Sequence, residues 1–192
     1  MTRLLGLSGS LRAQSFNTAL LRAAQAAAGD GVMLDAATLH GVPLYDGDLE
    51  QQHGTPEAVR ALKERILAAD GLLLVTPEYN NGIPGVFKNA IDWLSRPTPG
   101  VADVFKDRPV AVIGASPGGF GTVLSQNHWL PVLRALGVRH WSGGRLLVSR
   151  AGGVFAADGR LQDEGVQRQL TEFVGGFAAF VAADARGRKA KA

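Results

Sequence analysis

The chain predicts a doubly wound α/β fold in which a five-stranded parallel sheet carries helices on both faces. Five short apolar runs recur along its 192 residues, amphipathic stretches separate them, and turns of small and polar residues follow three of them. Strands so continuously apolar suit a sheet buried on both sides, and strands that alternate with helices pair in parallel. A chain of this length suits one domain with one compact core.

The strands are expected at 3–8 (RLLGLS), 32–39 (VMLDAATL), 71–75 (GLLLV), 109–115 (PVAVIGA) and 145–149 (RLLVS), each bounded by Gly, Pro, Asp or Ser. Residues 16–28 start an amphipathic helix behind the first turn. Thr55 and Pro56 supply an N-cap and a first-turn proline for a helix over 56–69, with Val59, Leu62, Ile66 and Leu67 on one face. Pro84 opens another over 84–94, with Phe87, Ala90, Ile91 and Leu94 on its apolar side. Helices over 121–136 and 162–182 complete the set. The common order for such a series is 2-1-3-4-5, which places ligands outside the carboxyl ends of the strands. The loops at 9–16, 76–83 and 116–121 then converge on one pocket.

Composition narrows the chemistry. Hydrophobic residues make up 46% and charged ones 19%, and no targeting segment, repeat or membrane-length apolar run stands out, so a cytoplasmic protein is expected. The absence of cysteine excludes a disulfide, a thiolate nucleophile and cysteine-held metals or clusters. His40, His53, His128 and His140 lack ligand-like spacing, so no metal site is expected. The last eight residues, ARGRKAKA, hold four of the 20 basic residues and none of the 17 acidic ones. The rest, 16 basic against 17 acidic, is nearly neutral, which argues against nucleic acid as the partner. Residues 1–184 therefore read as one folded domain and 185–192 as a basic, disordered tail.

The first loop, SGSLRAQSFN, offers Ser10, Ser15 and Asn17 as neutral donors and Arg12 as a permanent charge beside the positive end of a helix. It suits an anion, although Ser15 could simply cap the helix, with Asn17 in its exposed first turn and Arg12 solvated. It fits neither the Walker loop, whose lysine is missing, nor G-x-G-x-x-G. In the second loop Pro77, Asn80, Asn81, Gly82 and Pro84 make a stiff backbone that could face a planar ring, with Tyr79 as an aromatic wall. Glu78 could act as a base, but no paired acid, histidine or nucleophile stands near it in sequence, which favours a role in fixing the loop. Lys88 and Asp92, four apart, suit a helix-surface ion pair. The third loop, GASPGGFGT, lets the backbone approach a ligand closely.

GSLRAQSFN, PEYNNGIPGVFKNAIDW and SPGGFGT, in this order, resemble the NADPH-dependent FMN reductase family of flavodoxin-like proteins, near its bacterial chromate and quinone reductases. The resemblance spans about residues 3–182 and implies a flavodoxin-like three-layer sandwich binding FMN. It implies Ser10, Arg12, Ser15 and Asn17 on the FMN phosphate, and Pro77, Glu78, Tyr79 and Asn80, with Ser116 and Gly119, beside the ribityl chain and ring; Ala13 and Gln14 receive no role. It implies NADPH or NADH as donor, and ping-pong passage of hydride through FMN to a quinone, flavin, chromate or similar acceptor, with no catalytic side chain and no metal. It also implies a homodimer or homotetramer, to which apolar residues of FKNAIDWLSRP and SQNHWLPVL could contribute, with Trp93 and Trp129 either among them or simply in the core. Two other readings remain open. One is a flavodoxin-type one-electron carrier, against which the near-neutral charge counts; the other is an azo-compound or arsenical-resistance oxidoreductase.

Overall fold

The computed structural model describes residues 1–96 and 104–189 of the 192-residue chain, with side chains up to Ala185. Its elements are β1 (Thr2–Ser8), α1 (Phe16–Ala26), β2 (Val32–Ala37), α2 (Gly47–His53), α3 (Glu57–Leu67), β3 (Gly71–Val75) and α4 (Gly85–Leu94). They continue with β4 (Pro109–Ala115), α5 (Val123–Ala135), β5 (Arg139–His140), β6 (Leu147–Val148), α6 (Ala151–Val154) and α7 (Glu164–Lys189). The sheet runs β2-β1-β3-β4-β5 with every pairing parallel, the order expected from sequence.

Strand periodicity divides the interior into two cores. Leu4, Leu73, Val75, Ala111 and Ile113 point to the side of α1 and α7, while Leu5, Leu7, Leu72, Leu74, Val110 and Val112 point to that of α3, α4 and α5. Each fully buried leucine or isoleucine contributes about 1.5–3 kcal/mol, so a register slip anywhere in the sheet would forfeit many such terms. At the β2 edge, Arg65 Nη2 donates to Asp35 Oδ2 at 2.6 Å and to the Ala36 carbonyl at 2.7 Å. The Arg65 guanidinium holds the Asp35 carboxyl below its usual range.

Several expectations are corrected. The fifth strand expected at 145–149 is reduced to β6, paired with Gly114 and Ala115, and a separate short strand before it, β5, pairs with Pro109 and Val110. Between them Trp141 packs against Phe173, ring centroids 4.8 Å apart, and its N–H donates to Val110 O at 2.8 Å. Pro56 is itself the N-cap of α3, in extended conformation, and Thr55 only offers its carbonyl to Arg60 at 2.6 Å. Leu67 faces solvent at 51% exposure, one residue past the buried stripe of Val59, Leu62 and Ile66. The short α2 has no buried residue, so no apolar periodicity announced it. Trp93 and Trp129 are core residues, 1% and 0% exposed, and cannot furnish an oligomer surface. Residues 185–189, expected in a disordered tail, continue α7. Ala, Arg and Lys there are good helix formers and Gly187 alone does not stop the helix. The remaining tail, 190–192, lies outside the described residues.

Gly114, near the end of β4, marks the tightest contact between β4 and the loop after β3. A Cβ there would overlap the Thr76 carbonyl oxygen and Thr122 Oγ1, and neither the backbone nor the buried Thr122 can retreat freely. Gly114→Ala should lower stability by about 1–3 kcal/mol through overpacking. In urea titrations, a lower midpoint at unchanged slope is the expected result; an unchanged midpoint would contradict this contact.

Candidate functional site

The carboxyl ends of β1, β3 and β4 are adjacent because Ser8 pairs with Val75 and Val75 with Ile113. The ladder also continues into the loops. Gly9 N–H donates to Val75 O at 2.9 Å, Thr76 N–H to Ile113 O at 2.8 Å, and Ser116 N–H to Val148 O at 2.9 Å. Each loop therefore starts from a fixed point.

The three loops form one shallow cavity of about 50 Å³. Eight of the residues expected at a site line it: Ser10, Arg12, Ser15, Asn17, Pro77, Glu78, Tyr79 and Ser116. Asn80 and Gly119 do not line it; both are exposed. Asn80 and Asn81, with φ of 50° and 62°, are the central residues of a tight turn closed by Tyr79 N–H to Gly82 O at 3.2 Å and Gly82 N–H to Tyr79 O at 3.0 Å. Asparagine tolerates the left-handed region, which such a turn requires twice.

In the first loop, Ser15 caps α1 by accepting from Asn17 N–H at 3.2 Å and Thr18 N–H at 3.3 Å. Ser10 Oγ accepts from Arg12 N–H at 3.3 Å. The N–H groups of Ala13, Gln14 and Phe16 meet no acceptor among the described residues, and no acidic side chain occupies the first turn of α1. Arg12 is exposed, and no carboxylate of the described residues pairs with it. Free N–H groups, a helix N-terminus and an arginine make a cradle for an anion.

Asn17 is not in an exposed turn; it is 4% exposed. Its Nδ2 donates to Ala115 O at 2.8 Å and its Oδ1 accepts from Ala115 N–H at 2.9 Å, so the side chain clips α1 to the end of β4. Glu78 is likewise engaged. Its Oε2 accepts from Leu124 N–H at 2.8 Å and Ser125 N–H at 3.0 Å, capping α5, whose N-cap residue Thr122 makes no side-chain cap bond. This agrees with the loop-fixing role.

Sequence reasoning missed a buried network beneath these loops. Thr76 Oγ1 donates to Pro77 O at 2.9 Å, bonds Ser125 Oγ at 2.9 Å and receives Trp129 Nε1–H at 3.0 Å. Ser116 Oγ donates to Gly121 O and rigidifies the third loop. A threonine and a serine 49 positions apart carry no local signal that they will meet. No group of three His, Cys, Asp or Glu side chains among the described residues could hold a metal. Among the described residues, the hydroxyls of Ser10, Ser15 and Ser116 bond backbone groups of the loops and of α1.

Comparison with known proteins agrees with this geometry. Residues 2–153 match the family described as NADPH-dependent FMN reductase. An NAD(P)H-dependent FMN reductase of Pseudomonas aeruginosa is 42% identical over 172 residues, covering 88% of this chain and 91% of the relative. A 2-hydroxy-1,4-benzoquinone reductase of a Burkholderia species is 38% identical, covering 90% and 92%. Among solved structures, the flavoenzyme NAD(P)H:(acceptor) oxidoreductase of Paracoccus denitrificans superimposes with a TM-score of 0.85 at 34% identity, covering 96% of this chain and 99% of its own. A fold in the flavodoxin-like strand order, three converging loops around an anion cradle, and relatives matched over most of their length lead to one assignment: the chain belongs to the NADPH-dependent FMN reductase family of oxidoreductases.

Proposed function

We propose that the chain holds one FMN in the cavity between its three loops and uses it to move two electrons from NADPH or NADH to a quinone, a flavin or a similar small acceptor. The observation that carries this reading is that Ser10, Arg12, Ser15 and Phe16, at the head of α1 beside unpartnered N–H groups, line the same cavity as Pro77 to Tyr79 and Ser116 of the second and third loops. When bound, FMN supplies the redox chemistry, which no side chain here provides. Ala13, Gln14 and Phe16 would offer N–H donors to its phosphate, and Ser10, Ser15 and Arg12 would complete the cradle. Pro77 to Tyr79 and Ser116 would flank the rest of the molecule. Asn17 and Glu78 act one step removed, by holding the loops in place.

The cavity is shallow, and Tyr79 at its mouth is 46% exposed. An outer face open to solvent would let donor and acceptor bind in turn, which is the structural condition for ping-pong exchange. A quinone is the acceptor class that this reading favours, because two of its supports are relatives named as quinone or FMN reductases; chromate and azo compounds are further acceptors to try. No described helix is long and apolar enough to cross a membrane. The nicotinamide donors place the reading in the cytoplasm.

A homo-oligomer belongs to the same proposal, but on different residues from the tryptophans. Phe120 in the third loop, 83% exposed, and Leu124 in the first turn of α5, 39% exposed, put apolar side chains at the surface close in sequence to Ser116 of the site. A second copy of the chain is the partner proposed for it.

Three measurements test these statements. Arg12→Ala should weaken FMN about tenfold, the lower end of the ~1.5–3 kcal/mol range for a hydrogen bond to a charged group, while leaving the unfolding midpoint unchanged. Asn17→Ala should instead lower stability by roughly 2 kcal/mol, since it breaks two buried bonds; equal FMN affinity in wild type and Arg12→Ala would move the phosphate elsewhere. In anaerobic stopped-flow mixing, NADPH or NADH should bleach the bound flavin rapidly and a quinone should restore its colour, with parallel double-reciprocal plots at steady state. Sluggish bleaching by both nucleotides would remove the enzyme assignment in favour of a carrier. Light scattering at micromolar concentration should give a dimer or tetramer that Phe120→Glu dissociates, and a monomeric wild type with full activity would end the oligomer proposal.

A further inference from the structure

In the second loop, Pro77, Glu78 and Tyr79 line the cavity, and their backbone donors are accounted for except at one position. Pro77 has no N–H, Tyr79 N–H donates to Gly82 O at 3.2 Å, and Thr76 N–H, just before them, donates to Ile113 O at 2.8 Å. The N–H of Glu78 meets no acceptor among the described residues.

Its direction is set from below. Thr76 is fully buried, and its Oγ1 donates its only hydrogen to Pro77 O at 2.9 Å. Ser125 Oγ, at 2.9 Å, must therefore donate to Thr76 Oγ1, as Trp129 Nε1–H does at 3.0 Å. One donated and two accepted bonds exhaust the hydroxyl. The C=O and N–H of a trans peptide point in opposite directions, so a Pro77 carbonyl drawn down to Thr76 turns the Glu78 N–H away from the buried network. The Glu78 side chain is tied as well, by Leu124 N–H and Ser125 N–H. Peptide and carboxylate are thus both anchored on α5.

We propose that Thr76 is a positioning residue for the electron transfer: its hydroxyl, seated on Ser125 and Trp129, orients the Pro77–Glu78 peptide so that the Glu78 N–H donates to an oxygen of the flavin ring. The inference rests on the flavin reading and adds to it a residue that does not itself line the cavity. A donor aimed at a ring oxygen gains strength once two electrons have made that oxygen more negative, because hydrogen bonds to charged groups are the stronger ones. A donor already fixed in place needs no reorganisation when the charge arrives. Thr76 thereby raises the midpoint potential of the bound flavin without touching it.

The test compares the dissociation constant and midpoint potential of bound FMN in wild type, Thr76→Val, Thr76→Ser and Ser125→Ala. Thr76→Val keeps the shape and removes the hydroxyl. It should weaken reduced FMN about tenfold more than oxidised FMN, a fall of about 30 mV in the two-electron potential. Thr76→Ser keeps the hydroxyl and should hold the wild-type potential. Ser125→Ala spares the bond to Pro77, so it should lower the urea midpoint and leave the potential in place. A purely structural Thr76 would instead lower the urea midpoint and move no potential. Should Thr76→Val fail to fold, the double variant Thr76→Val, Ser125→Ala leaves no hydroxyl unpaired and takes its place. An unchanged or raised potential on loss of the Thr76 hydroxyl, or an equal fall in Thr76→Ser, overturns the proposal while the flavin reading stands. A wild type that binds no FMN refutes the flavin reading and the proposal with it.

Discussion

A parallel sheet buried on both faces must satisfy every backbone donor and acceptor within itself, and that constraint governs everything above the carboxyl ends of β1, β3 and β4. Parallel pairing needs a crossover between neighbours, so each of these strands hands its chain to a helix at the same end of the sheet. The register brings Ser8, Val75 and Ile113 level. Three stretches separated by many residues are thereby forced to share one rim, and polar residues that could not be buried in the sheet are gathered there.

The rim alone would be a set of independent loops. Three side-chain arrangements convert it into a fixed surface, and each spans two crossovers. Asn17 clips α1 to Ala115, Glu78 caps α5 from the second loop, and Thr76 joins Ser125 and Trp129 beneath it. These groups are satisfied within the protein, so they set geometry. The groups left without protein partners, the N–H groups of Ala13, Gln14 and Phe16 and the Arg12 guanidinium, are those available to a ligand. The division follows from the cost of burying an unsatisfied polar group: the buried side chains beneath the loops find partners within the protein, and the exposed cradle leaves its donors to solvent or a ligand.

The same division separates specificity from chemistry. In a family whose chemistry is carried by FMN, the protein's part is binding and orientation. Its task is orientation: a rigid turn at Asn80 and Asn81, a stiffened third loop, and a shallow wall that leaves one side reachable. Across the cradle a second cavity of about 400 Å³ shares Arg12, Ser15 and Phe16 with the first and adds Arg22 and Phe155 to its lining.

The sequence by itself determined the strands at 71–75 and 109–115, the helices behind Ser15 and Pro84, the sheet order and the three loops, because period and turn chemistry are local. Of the ten residues it placed at the site, eight line the cavity, since polar residues at strand ends in this order have few other places to go. Tertiary structure alone decided what those residues touch. Asn17, expected on the phosphate or else in an exposed first turn, is buried against Ala115, 98 positions away; Trp93 and Trp129, expected at a partner surface or in the core, are packed inside. The edge strand at 139–140 and the packing of Trp141 on Phe173 appear only in the fold, as does the cavity between the 152–159 segment and α1. Contacts of this kind are set by the packing of distant segments, and no local pattern encodes which buried partner a side chain will meet.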